Sequence, residues 1–147
     1  AVNLKSTFLC TKEMIEPMKR RGGGVIINAS SFAAQIPSVG QSVYAAAKSG
    51  VKSFTRVSAA ELAPYNIRTF AYIPGVIKTQ LVAPLIEDPQ NAERMKNDIA
   101  AHRFGEPSEV ASVVVFLASE RAGYVSGTSI EVAGGKFCVQ NPGKIYE

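Results

Sequence analysis

The chain has 147 residues and a formal net charge of +4, and 46% of its residues are hydrophobic. This length predicts one domain, residues 1–147, with enough apolar side chains to bury a core. With two cysteines, no CxxC spacing and one histidine, His102, neither a disulfide framework nor a zinc site is indicated. We therefore expect no metal and a reducing, cytoplasmic location.

Charge and hydropathy patterns also bear on the classes of partner. Basic residues form no stripe with interleaved aromatic residues, so nucleic-acid binding is not indicated. The cluster Lys19, Arg20 and Arg21 lies where a helix is predicted to end, and the helix dipole stabilises cations there. The longest apolar runs, VIINA and VVVFLA, are too short to span a bilayer, and no charged-then-apolar leader opens the sequence. Neither nucleic acid nor a membrane is an expected partner.

The first half of the chain alternates helix and strand patterns. Apolar residues at spacings near three and four predict a helix over residues 2–21, and Pro17 predicts a kink or a short final turn in it. Three glycines at 22–24 end this helix, and the β-branched run VIINAS predicts a strand that is buried on both faces. An Ala-rich helix over residues 43–63 stops at Pro64, and IRTFAYI, residues 67–73, predicts a second strand.

The second half continues the alternation. Residues 79–101 predict one or two short helices interrupted at Asp88 and Pro89, and EPSEVASVVVFLAS opens with a proline and glutamates that suit a helix N-terminus. In TSIEVA apolar and polar residues alternate, and glycines lie on both sides of it, so it predicts a strand. The tail KFCVQNPGKIYE is polar and is predicted to be irregular. Such alternation is typical of an α/β fold with a parallel sheet, in which ligands bind beyond the carboxyl ends of the strands. Chemistry is therefore expected at Ser30, Ser31 and residues 74–79.

The stretch SVYAAAKSG places Tyr44 and Lys48 four residues apart on a predicted helix. Positions i and i+4 lie on one helix face, so both polar ends can face the same cavity. A phenol is a weak base at neutral pH, and a nearby ammonium favours its deprotonated form. The pair therefore predicts a proton-transferring tyrosine assisted by a lysine, although a surface lysine beside a half-buried tyrosine has the same spacing.

Several motifs in order carry a resemblance to a known family. INASS is followed by YAAAK, with Ser31 thirteen positions before Tyr44, and then by IPGVIKT. A VNLK segment contains Asn3, and RFGEPSEVA, FLAS and YVSGTSIEV follow towards the C-terminus. From Val2 to about Gly135 the chain resembles the C-terminal part of a short-chain dehydrogenase/reductase. The members of the family that it resembles include 3-oxoacyl carrier-protein reductases and polyol dehydrogenases.

The resemblance implies a Rossmann-like, doubly wound parallel sheet and a function for each site residue. It implies an oxidoreductase that uses NAD or NADP to interconvert a ketone and a secondary alcohol. Tyr44 would be the acid/base and would also contact the cofactor. Lys48 would assist Tyr44 and hold the nicotinamide ribose, and Ser31 would stabilise the carbonyl oxygen. Asn3 would hold a water of the proton relay. The turn implied to lie against the nicotinamide contains Pro74, Gly75, Ile77 and Thr79. A homodimer or homotetramer is implied as well.

Some of these residues have simpler interpretations. Ser30 and Ser31 could form a turn at the strand end, and Asn3 could be a helix N-cap. His102 is expected to be a surface or loop residue, because no paired carboxylate or cysteine motif accompanies it. Substrate choice is expected to depend on the loop after Ser31 and on the segment from Gln80 to Arg103, which would suit a flexible lid.

The sequence departs from the family in one large and two small ways. No G-x-G-x-x-G motif occurs, so we expect the N-terminal dinucleotide-binding βαβ half to be absent from the chain. This absence leaves an alternative open, namely a truncated, non-enzymatic half-domain that acts as an interaction module. Phe70 stands where the family usually has a small polar residue and is expected to alter packing. Ala133 replaces an acidic residue and is expected to weaken a terminal contact.

Overall fold

Three parallel strands form a sheet in a computed structural model that describes residues 2–146. The α-helices described are α1 (Val2–Arg20), α2 (Ser42–Leu62), α3 (Ala83–Ile86), α4 (Pro89–Asn97) and α5 (Pro107–Ala118). The strands are β1 (Gly24–Ala29), β2 (Ile67–Pro74) and β3 (Ser129–Val132). Short 3-10 turns cover Phe32–Ala34, Ala63–Tyr65, Glu120–Ala122 and Pro142–Tyr146. The predicted α/β class is confirmed, and each predicted helix and strand is present within a few residues of its expected bounds.

Helix α1 ends in a glycine turn three residues after Pro17, so the expected short final turn is present. Gly22 has a φ of +80°, and its N–H donates to Lys19 O while the N–H of Gly23 donates to Met18 O. This pair of hydrogen bonds is a Schellman motif, which satisfies the last carbonyls of the helix and requires the left-handed conformation that glycine adopts readily. The chain then enters β1 directly.

The strands lie in the order β1-β2-β3, so β2 is the central one. Parallel pairing aligns Gly24 with Ile67 and Ala29 with Tyr72, which brings the carboxyl ends of β1 and β2 to the same edge. Burial on both faces, expected for VIINAS, is found instead in β2, where Phe70 and Ala71 are successive and fully buried. In β1 only Ile26 and Asn28, on one face, are buried, because β2 is its one partner strand among the described residues.

Two compact units make up the chain. The first contains residues 2–73 and 114–131, and the second contains residues 74–113 and 132–146. The core of the first includes Ile26, Leu62 and Ile67, with Ile15 and Met18 packed against them. Within residues 2–146 no helix is long and apolar enough to cross a membrane. One domain over residues 1–147 stays a prediction, as does the cytoplasmic location.

Candidate active site

The end of β1 places two serines in different surroundings. Ser30 is buried; its N–H donates to Tyr72 O at 2.9 Å, and its hydroxyl donates to Lys48 O at 3.0 Å. Ser31 is half-buried and extended, and its Oγ accepts a hydrogen bond from the Ala33 N–H at 3.2 Å. Ser30 thus attaches the strand end to helix α2, while Ser31 caps the 3-10 turn that follows. The turn-forming interpretation therefore applies to Ser31, and a capping oxygen can still donate its own O–H.

Helix α2 carries Tyr44 in its first turn and Lys48 one turn later, on the same face. Tyr44 is 39% exposed, and the Lys48 Nζ lies 5.7 Å from the centre of its ring. The Lys48 ammonium donates to Ala29 O, the last carbonyl of β1, at 2.8 Å. Because the Ser30 hydroxyl binds the Lys48 carbonyl, two hydrogen bonds join this helix to the strand end. The structure therefore brings Tyr44 and Lys48 to the same end of β1 as Ser31.

Asn3 lies inside helix α1 and not before it, so its interpretation as the N-cap is wrong. The backbone carbonyl of Asn3 accepts from the Thr7 hydroxyl at 3.0 Å. The next residue, Leu4, packs against Gly50 of α2, where an added Cβ would lie only 2.8 Å from Leu4 Cδ2. Gly50 thus permits a close approach of α1, which carries Asn3, to the helix that carries Lys48.

The residues expected to lie against a nicotinamide belong, from Pro74 onwards, to the second unit. Gly75 donates its N–H to Val132 O at 3.0 Å, and an added Cβ would lie 2.8 Å from the Ala133 Cα. Ile77 forms an isolated parallel bridge with Gly105. Thr79 is exposed, and its carbonyl accepts from the N–H groups of Val82, the N-cap of α3, and Ala83, its first residue. The small Ala133 side chain is therefore in close contact with the PG turn.

An ion pair stabilises the start of α5 beside this turn. Arg103 donates both guanidinium arms to the carboxylate of Glu109, at 2.8 and 2.6 Å. The same carboxylate accepts from the Glu106 N–H at 2.8 Å, as the N3 glutamate of a capping box does. The Arg103 hydrogen bonds, helped by the Glu106 N–H, lower the pKa of Glu109 to about 2. A cavity of about 50 Å³ between Ile77, Glu109 and Ala133 has room for a water or two but not for a substrate.

The structure also shows contacts that the sequence interpretation missed. The tail after Gly135 is not irregular throughout, because Pro142–Tyr146 forms a 3-10 turn. Tyr146 stacks on His102, with ring centroids 4.3 Å apart, and its hydroxyl donates to Ala100 O at 2.8 Å. His102 is therefore half-buried, and it lies in the loop between α4 and α5, as the loop interpretation expects. An aromatic residue in a polar tail was the available signal, but its partner lies 44 residues earlier and no local pattern links them.

Comparisons with known proteins identify the family. A family model described as enoyl-(acyl carrier protein) reductase matches residues 1–136. Dehydrogenase/reductase SDR family member 4 of Homo sapiens is 41% identical over 134 residues, which are 91% of this chain and 48% of that protein. The chain belongs to the short-chain dehydrogenase/reductase family. The resemblance carried by INASS, YAAAK and IPGVIKT is therefore confirmed.

Two further relatives within the short-chain dehydrogenase/reductase family extend the comparison. The 3-oxoacyl-[acyl-carrier-protein] reductase FabG of Aquifex aeolicus is 43% identical over 92% of this chain and 54% of its own length. A gluconate 5-dehydrogenase of Burkholderia cenocepacia, solved in complex with NADP and tartrate, has a TM-score of 0.89 at 30% identity, covering 94% of this chain and 54% of its own. The chain spans about half the length of the relatives it matches, and the Rossmann-type fold expected from the resemblance is confirmed.

Proposed function

We propose that the intact protein interconverts a ketone and a secondary alcohol with NAD or NADP, using Tyr44 as the general acid/base. One observation carries the proposal: Lys48 is joined to the end of β1 through Ala29 O, on the helix face that also presents the exposed Tyr44. An acid/base must reach its substrate while a charged neighbour stabilises its deprotonated form. Tyr44 is partly exposed, and the Lys48 Nζ lies 5.7 Å from the centre of its ring, so both side chains are available at the same end of β1.

The catalytic residues have different functions in this proposal. In reduction, Tyr44 gives its proton to the substrate oxygen while Ser31 donates a hydrogen bond to the same atom, and in oxidation the proton moves back to Tyr44. The Ser31 oxygen already accepts from Ala33 N–H, which orients the hydroxyl to donate its own proton elsewhere. Asn3, on the helix that packs against α2 at Gly50, would hold a water that connects Lys48 to solvent, so that a proton from solvent passes through Lys48 and replaces the one that Tyr44 gives up.

The residues present fit a nicotinamide cofactor. Lys48 has three N–H donors, and since Ala29 O accepts from one, the others can bind ribose hydroxyls. By the family resemblance, the turn that contains Pro74, Gly75, Ile77 and Thr79 would hold the nicotinamide, and its exposed threonine hydroxyl suits a carboxamide or phosphate. NAD or NADP, when bound, supplies or accepts the hydride. The protein itself contributes binding, orientation and the proton.

The proposed partners are a small carbonyl or alcohol substrate and further copies of the chain. Helix α1 exposes Phe8, Leu9 and Met14, which are large apolar side chains that a homodimer or homotetramer would cover. The same exposed side chains favour the alternative function, a non-enzymatic interaction module. The two functions differ in one requirement, because only the enzyme must bind a dinucleotide.

Substitution of Tyr44 tests the proposal most directly. In the intact protein, Tyr44→Phe should lower turnover by roughly 10²–10⁴-fold, the usual contribution of a general acid/base, while cofactor affinity is largely retained. Lys48→Met should lower both the turnover and the cofactor affinity. Tyr124→Phe is a matched control, because Tyr124 is fully exposed. Steady-state assays with a ketone panel supply turnover, and near-normal activity of the Tyr44→Phe protein would refute the assignment.

A fluorescence titration separates the enzyme from the interaction module. Saturable NADH or NADPH binding that Lys48→Met weakens supports the oxidoreductase. A protein that forms stable oligomers in sedimentation but shows no saturable binding of either dinucleotide supports the module instead.

A further inference from the structure

The tail after residue 136 lies beyond the matched family region, yet it folds. The family model ends at residue 136, whereas Pro142–Tyr146 forms a 3-10 turn in the second unit. We call the contacts of Tyr146 with His102 and Ala100 the tail latch. The family match ends before Tyr146, so it does not account for these contacts.

Tyr146 makes two different contacts within the latch. Its hydroxyl donates to Ala100 O at 2.8 Å, and its ring stacks on the His102 imidazole at 4.3 Å with planes 21° apart. The imidazole is itself held from α4, because His102 Nε2 lies 3.0 Å from Asn97 Oδ1 and 3.2 Å from Glu93 Oε1. The tyrosine therefore packs on a ring whose orientation is already fixed.

A second set of tail contacts binds the N-terminal end of the same stretch, residues 98 and 99. The Phe137 N–H donates to Asp98 O at 2.8 Å, and Lys136 pairs with the Asp98 carboxylate at 3.5 Å. Ile99, which is almost fully buried, forms an antiparallel bridge with Lys136. Residues 98–102 are thus bound by the tail at both of their ends. These residues form the C-terminal part of the segment from Gln80 to Arg103, on which substrate choice is expected to depend.

We propose that Tyr146 is a positioning residue that fixes residues 98–102 and thereby shapes the segment Gln80–Arg103 for substrate binding. The substrate part of this inference rests on the proposed function. The tail holds the segment in one arrangement, so the protein does not have to order it when substrate binds. Loosening the latch should therefore weaken substrate binding more than it slows the chemical step.

Hydrogen exchange measures the latch without any assay of activity. In the intact protein, Tyr146→Ala should speed amide exchange over residues 98–102 roughly 10-fold, because it removes a hydrogen bond and a ring stack. Tyr146→Phe keeps the ring and should speed exchange only about 2- to 5-fold. Tyr124→Ala, at a fully exposed tyrosine, is the matched control. Exchange in the Tyr146→Ala protein equal to that of the control would overturn the latch.

Kinetics measure the positioning function. Tyr146→Ala should raise KM for a ketone several-fold with kcat little changed, and Tyr146→Phe should recover most of the loss. Faster exchange with unchanged KM, or a fall in kcat alone, would overturn the positioning function. An intact wild-type protein that turns over no ketone or alcohol would refute the proposed function, and the exchange result would still decide whether Tyr146 holds the segment.

Discussion

The interactions inside the first unit of the molecule differ from those inside the second. In the first, Val51, Phe70 and Leu117 are fully buried, and hydrogen bonds such as Asn28 to Thr55 lie inside the core. In the second, buried apolar residues such as Ile99 are accompanied by ion pairs between exposed side chains. Buried apolar groups stabilise a fold strongly, whereas exposed ion pairs contribute little. We therefore expect the first unit, which carries Ser31, Tyr44 and Lys48, to be the more stable of the two and the second to tolerate substitution more easily.

The largest expected effect is at Phe70, in the first unit. Phe70→Ala should lower the free energy of unfolding by about 3–5 kcal/mol, since it leaves a cavity in a fully buried site. Phe70→Leu should cost about 1 kcal/mol and gives a measurable variant if the alanine protein does not fold. Urea denaturation measures both, with Val57→Ala on the exposed face of α2 as the control. A loss at Phe70 no larger than that at Val57 would show that packing does not dominate this unit.

A smaller loss is expected at Arg68. Its guanidinium donates to the carbonyls of Leu117, Ser119 and Ala122, at 3.0, 3.1 and 2.9 Å. Arg68→Met should cost about 1.5–3 kcal/mol, because these hydrogen bonds involve a charged donor and partly buried acceptors. Arg56→Met, at an exposed position of α2, should change little in the same denaturation experiment. If the Arg68→Met protein were as stable as the Arg56→Met control, other donors would have to satisfy the three carbonyls.

Thr69 offers a change of opposite sign. Its hydroxyl is buried and has no hydrogen-bond partner within residues 2–146, so Thr69→Val should leave stability unchanged or raise it by up to about 1 kcal/mol. Thr55→Val is the matched control, because that hydroxyl accepts from Asn28 and donates to Val51 O. The control should lose about 1–3 kcal/mol. A clear loss at Thr69 would reveal a partner for its hydroxyl.

The smallest effect is expected in the second unit, at Glu109. Since Arg103 lowers the pKa of Glu109 from 4.5 to about 2, the ion pair stabilises the fold fully above pH 4.5. This contribution is lost as the pH falls towards 2. Glu109→Gln should therefore destabilise slightly at pH 7 and converge on the wild type in acid. Denaturation at pH 7 and pH 3 measures the difference, with exposed Glu13→Gln as the control. A difference in stability between the wild type and the Glu109→Gln protein that is larger at pH 3 than at pH 7 would contradict this expectation.

Much of the fold and of the site could be predicted because the relevant signals are local. The spacing of apolar residues placed α1 and α2 within a residue or two, and the spacing of four placed Tyr44 and Lys48 on one face. The motif order identified the family. The functions of Asn3, Ser31, Tyr44, Lys48 and the residues from Pro74 to Thr79 stay predictions, because they depend on a cofactor and a substrate.

Contacts between distant residues could not be predicted. Nothing near Arg68 in the sequence indicates that it binds carbonyls some fifty residues later, and nothing near His102 indicates Tyr146. The two-sided burial expected of β1 failed for a related reason. A β-branched run reports that a strand is apolar, but its neighbours in the sheet decide which of its faces are covered.

The Arg68 contacts have a consequence for chain length. They join positions separated by 49 to 54 residues, so the intervening chain is a loop closed at both ends within the first unit. The entropy of closing a loop rises only with the logarithm of its length, and even a doubling adds only about 0.6 kcal/mol. Insertions into the exposed part of this loop between Thr79 and Asp88 should therefore add little to the entropy cost of closing it. Evolution can vary the stretch expected to select the substrate while β2, which Arg68 joins to residues 117–122, stays in place.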